Sequence, residues 1–137
     1  MNRIRAAAPR FLAVTPLLLL LSAGGCGEPY SSGKNLQVTN ETNLFRFQVS
    51  DMKNYSQTFA FTWTTSSTTG AIVDQFGTIS GGDATLVLKD ASGTTVYSRS
   101  LKQNGRFTTD IGSAGHWTVQ ILMNKVSGSV ALQAVPN

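Results

Sequence analysis

The stretch His116-Trp117-Thr118-Val119-Gln120-Ile121-Leu122-Met123-Asn124 alternates at every position but Leu122. Trp117, Val119, Ile121 and Met123 are apolar at a spacing of two, against His116, Thr118, Gln120 and Asn124. Side chains in an extended strand point to opposite faces in turn, so this period predicts a strand with one buried and one wet face. The rest of the chain reads the same way in both directions. Downstream, Lys125 to Gly128 is a turn by composition, and Ser129 to Val135 carries Val130, Leu132 and Ala134 on one face. Upstream, Phe45, Phe47 and Val49 oppose Arg46 and Gln48, and Phe59, Phe61 and Trp63 oppose Thr58, Ala60, Thr62 and Thr64.

Between these lie Ala71 to Ile79, a less regular strand carrying Ile72, Val73, Phe76 and Ile79, and a break at Ser80-Gly81-Gly82-Asp83. Thr85 to Lys89 and Thr94 to Leu101 form a hairpin around Asp90-Ala91-Ser92-Gly93. The aspartate there can accept from a backbone N–H two residues on, and the glycine supplies a positive φ at little cost. Arg106 to Thr109 is a further short strand. No window keeps a helical period for three turns. About nine short strands with turns near every tenth residue predict an all-β, antiparallel sandwich of jelly-roll or related topology, with a small barrel as the alternative.

The N-terminus has a different character. Arg3, Arg5 and Arg10 precede an apolar run from Phe11 to Leu21, and Ser22-Ala23-Gly24-Gly25 leads into Cys26, the one cysteine of the chain. As a helix that run would be roughly 17 Å long, well short of the roughly 30 Å of bilayer hydrocarbon. It reads as an export signal rather than a permanent span. Ala23-Gly24-Gly25-Cys26 resembles the lipobox of bacterial lipoproteins, with Ala23 where that family usually has Leu. The resemblance implies that a signal helix over residues 1–25 is cleaved and that Cys26 becomes the lipid-bearing first residue. Each buried methylene adds about 0.8 kcal/mol to membrane binding, so the two or three chains of that family give firm attachment. Gly27 after the cysteine, by resemblance to enterobacterial sorting, implies the outer membrane. Residues 26–35 are Gly/Ser/Pro-bearing and aperiodic, a tether, and residues 36–137 are the β domain.

Composition narrows the function. The whole chain carries a formal charge of +4, but without the three arginines of the signal eight basic residues face seven acidic ones. A nucleic-acid partner calls for a basic face that such a chain lacks. Ser and Thr are 28 of the 112 residues from Cys26 onward, a neutral hydroxyl-rich style that suits an exported β-protein. His116 is the single histidine, and no Gly-x-Ser-x-Gly elbow follows the signal, so neither a catalytic triad nor a zinc site is expected. Asp74, Asp83, Asp90 and Asp110 lie singly near Gly-rich segments, and turn formation is the better reading of each than calcium binding. No cofactor is expected.

Trp63 and Trp117 continue apolar faces and read as core. Tyr97 is the exposed-aromatic candidate: it alternates with Arg99 on the face opposite Val96, and His116 and Gln120 lie on the polar face of another strand. Together these four are the candidate ligand site, for a glycan or an envelope protein, set against the plainer reading of a cross-strand Tyr97–Arg99 contact with no ligand. Asp83-Ala84-Thr85-Leu86-Val87-Leu88, Gly115-His116-Trp117-Thr118-Val119-Gln120-Ile121 and Ser127-Gly128-Ser129-Val130-Ala131-Leu132 resemble the second half of bacterial pre-peptidase C-terminal β-sandwich domains. That resemblance implies a non-catalytic accessory, some of whose relatives bind carbohydrate or collagen-like ligands. The expectation is therefore a lipid-anchored envelope protein, non-enzymatic, with a binding or structural role. A carbohydrate-binding module is the alternative, and a small hydrolase a remote third.

Overall fold

The computed structural model describes residues 34–137; the signal segment, Cys26 and most of the tether lie outside them. The described chain is all antiparallel β: β1 (Lys34–Glu41), β2 (Leu44–Thr65), β3 (Ala71–Lys89), β4 (Thr95–Ser100), β5 (Gly105–Thr108) and β6 (Gly115–Pro136). The strand order is β1-β2-β6-β3-β4, with β5 pairing β3. Lys34 and Asn35, expected in the tether, already belong to β1.

The expected run of about nine short strands is corrected to six, three of them 22, 19 and 22 residues long. These long strands fold over. Phe45 and Phe61, both on β2, would stand roughly 50 Å apart on a straight strand. Their ring centroids are 5.3 Å apart. The first arm of β2 thus packs face to face on its second arm, and the sheet becomes a two-layer sandwich. One layer holds β1, the first arms of β2 and β3, the last arm of β6, and β5. The other holds the remaining arms of β2, β3 and β6, with β4. Among the described residues β1 and β4 end the strand order, each with one edge unpaired, so the sheet does not close into a barrel.

The bends fall where the sequence suggests turns. Pairing slips between Val49 and Gln57 on β2 and between Ile79 and Asp83 on β3. Residues with positive φ sit at these points: Asp51 and Asn54 on β2, Gly82 on β3, Lys125 and Gly128 on β6. Bulges of this kind add twist and re-aim the strand without ending it. Serines satisfy the backbone groups that the slips release: Asn54 N–H donates to Ser127 Oγ at 3.1 Å and Lys125 N–H to Ser56 Oγ at 2.9 Å. A side chain at Gly128 would collide with the Thr78 carbonyl oxygen, and one at Gly82 with that of Lys125. The Ser80–Asp83 and Lys125–Gly128 segments are therefore corners inside continuous strands, not hairpin turns.

Alternation fills the space between layers as expected. Trp63 and Trp117 are paired across β2 and β6, fully buried, with rings edge to face at 5.8 Å. Each indole N–H finds a carbonyl: Trp63 donates to Glu41 O at 3.1 Å and Trp117 to Ser113 O at 2.7 Å. The β3–β4 hairpin forms, and Asp90 organises its turn. One carboxylate oxygen accepts from Ser92 N–H at 3.0 Å and Thr94 N–H at 2.9 Å, the other from Ser113 N–H at 2.9 Å. The Ser113 N–H first, then the Ser92 hydroxyl and the remaining amides, hold the Asp90 carboxyl down to about 2.

Candidate functional site

The four candidate residues do not converge. Along one register row Leu88 pairs with Val119 and with Tyr97; along the next, Val87 pairs with Gln120 and with Ser98. Directly paired residues share a face, so Tyr97 points with Leu88 into the core while Gln120 points with Ser98 to solvent. Tyr97 is buried. Its hydroxyl donates to Gln75 Oε1 at 2.6 Å, and Gln75 Nε2 donates in turn to the Ser100 and Gln103 carbonyls at 3.1 and 2.7 Å. Burial raises the Tyr97 pKa, which keeps the phenol neutral as a donor. Arg99 lies between the layers, its guanidinium carbon 3.9 Å from the Phe107 ring centroid, with Nη1 donating to Gln103 Oε1 at 2.8 Å. Tyr97 and Arg99 thus join the two layers; the reading of Tyr97 as an outward platform reversed the strand.

The reversal has a physical cause. Pairing slips between Leu88 and Lys89, so Val96 has no partner in the ladder, and Asp110 N–H donates to the Val96 carbonyl at 2.9 Å. Residues 110–112 cover Val96 from outside, with Gly112 against its side chain. Both Val96 and Tyr97 are buried, one by a loop and one by the core. His116 is exposed on the outer face, with Nδ1 3.0 Å from Thr64 Oγ1.

The outer face of the other layer carries a different set. Phe76, one of the four apolar residues of the less regular Ala71–Ile79 run, is 57% exposed. Val73 and Gln75 take the inward positions of β3, both fully buried, so Phe76 with Asp74 must point outward. Phe76 pairs with Ala131 on β6, and Ala131 with Gln48 on β2, which lies beside Gln37 on β1. In the adjacent row Arg46 faces Gln133, and its Nε donates to Gln133 Oε1 at 2.7 Å. Between the rows runs an open groove of about 300 Å³, lined by Gln37, Arg46, Gln48, Phe76, Ala131 and Gln133 among others. Ala131 is its floor and Phe76 one wall. Beyond Phe76 the pairing of β5 stops at Gln75–Gly105, so that flank of the ring has no strand beside it.

Asp74 continues the Arg46–Gln133 row. Against the expectation of a turn former, it stands mid-strand, buried, with Arg106 bound in two-pronged fashion at 2.7 and 3.1 Å. Those hydrogen bonds, with the carboxylate charge, raise the Arg106 pKa. Asp83 pairs with Lys102 at 3.2 Å. Among the described residues, no three of His, Cys, Asp and Glu come together as a metal site would need. The signal for Phe76 was present in the sequence: Val73 and Phe76 have opposite parity on one strand and cannot share a face.

No known protein family matches the chain, and no curated protein does. Among solved structures, the chain is similar to one described as the structure of infectious bursal disease virus Gt strain, at 13% identity and a TM-score of 0.29. The match covers 82% of this chain and 36% of that one, so this chain spans about a third of its length. Similarity of that degree fixes neither fold nor function.

Proposed function

We propose that the protein is a non-catalytic binding domain held at a bacterial envelope membrane by acylated Cys26, and that it engages its target through the Phe76 face. The observation that carries the reading is the exposed Phe76 ring beside a groove of side-chain amides. What sets Phe76 apart from the other exposed apolar side chains, such as Ile111 and Leu122, is its groove: polar groups placed around an apolar wall are the usual make-up of a binding site. The non-catalytic part is supported by the setting of His116, which lies on the open Thr-rich face against Thr64 rather than in a cleft. Anchoring rests on the basic, apolar and small-residue pattern that ends at Cys26, and on a domain that begins only eight residues later. The lipid bilayer is then one partner and an envelope component the other, at the outer membrane.

Intact mass of the full protein purified from membranes tests the anchoring. The expected species has lost residues 1–25 and carries two or three acyl chains on Cys26. A bare sulfur, or a signal still attached, contradicts it.

A further inference from the structure

Resting on the reading of the Phe76 face as the binding face, we infer that its ligand is a neutral oligosaccharide chain, laid across the strands from Phe76 toward Gln37. Three features select that chemistry. First, Phe47 and Leu132 also border the groove but are buried, so its exposed apolar contribution is one flat ring, Phe76, beside a methyl-sized floor at Ala131. A protein partner is held by a patch of several aromatic or aliphatic anchors with a fully buried centre. A single exposed ring among amides instead offers one stacking surface for the C–H face of a pyranose.

Second, Gln37, Gln48 and Gln133 present carboxamides, each able to donate and accept, which matches hydroxyls that do both. Gln133 is held by Arg46 through the 2.7 Å bond to its Oε1, which leaves its amide N–H groups as donors. Third, no carboxylate lines the groove, and Arg46 is its one charged residue, so neither a cationic ligand nor a polyanion is called for. The Gln37, Gln48, Ala131 and Phe76 positions lie on four neighbouring strands, about 14 Å end to end at the usual spacing. That length admits more than one sugar ring, so a chain should bind better than a monosaccharide.

The test is calorimetric titration of the full protein in detergent with neutral hexasaccharides of glucose, N-acetylglucosamine, xylose and mannose, and with a hexagalacturonate as the acidic control. Saturable binding of at least one neutral chain is expected, tighter than its monosaccharide. Phe76→Ala should weaken it at least about tenfold and Leu122→Ala, on the opposite face, should leave it unchanged. Both replaced side chains are exposed, so neither variant should unfold, and an unchanged melting profile verifies that. Binding equally lost in both variants, binding only of the acidic chain, or no binding by the wild type overturns the inference. The broader reading of the face fails separately, if a photoreactive residue at position 76 captures nothing in cells.

Discussion

The two outer faces of this folded sheet are built from the same three long strands, yet they are dressed differently. On the layer with β4, the outward positions are Thr58, Ala60, Thr62 and Thr64 on β2, His116, Thr118, Gln120 and Leu122 on β6, and Thr85 and Val87 on β3. Most of these side chains are short, β-branched or hydroxylated, as suits a strand in water, with Leu122 the large apolar exception. On the layer with β1, the corresponding positions hold Arg46, Gln48, Gln133 and Phe76, long or aromatic, around the dip at Ala131. Each face exposes a large apolar side chain, Leu122 on the first and Phe76 on the second, but only Phe76 stands in a groove of side-chain amides. That groove is the reason we propose the second face as the functional one.

The comparison depends on the corners that hold the faces apart, and breaking a corner should have the largest effect. Gly128→Ala brings a side chain against the Thr78 carbonyl at a φ of 118°, where L residues are strained. A loss of more than about 3 kcal/mol in denaturant unfolding is expected, by combined steric and backbone strain. Next comes the bond between layers. Tyr97→Phe leaves the buried Gln75 Oε1 without its donor, and should cost about 1–3 kcal/mol with no change in secondary structure by circular dichroism.

Acid should act on the hairpin. The Asp90 carboxyl is depressed from 3.8 to about 2 in the folded protein, so its stabilising contribution is complete above pH 4 and fades as pH falls through about 2. Thermal unfolding followed from pH 5 to pH 2 should show that decline, and Asp90→Asn should flatten it while lowering stability at neutral pH. The smallest effect is the most informative about the faces. Phe76→Thr should change stability by less than about 0.5 kcal/mol, because the ring is exposed and its neighbour is Ala131. A loss as large as a core truncation would make Phe76 structural and remove the contrast.

Much of this architecture was legible in the chain. Trp117 and Trp63 fall on the inward parity of clean alternating runs, and Asp90 followed by Gly93 marks a turn, because both signals depend on a few adjacent residues. The corners were not legible. A bulge and a hairpin turn use the same Ser, Gly, Asn and Asp residues, so Lys125 to Gly128 reads as a chain reversal when it is a bend within β6. Tyr97 failed for a related reason: the slip at Leu88–Lys89 breaks the parity that links Val96 to its neighbours. Parity with Val73 puts Phe76 outward, but residue type points the other way, because Gln75, a polar residue, occupies the inward position beside it, satisfied by Tyr97 and two carbonyls. A polar residue that finds all its partners inside cannot be recognised from residue type.

The contrast between faces is tested most directly by placing a photoreactive residue at position 76 or at position 122 and irradiating intact cells. Abundant adducts from position 76, with none above background from position 122, are the predicted result. Equal capture at both positions, or capture from position 122 alone, would contradict the assignment of the Phe76 face as the one that meets a ligand.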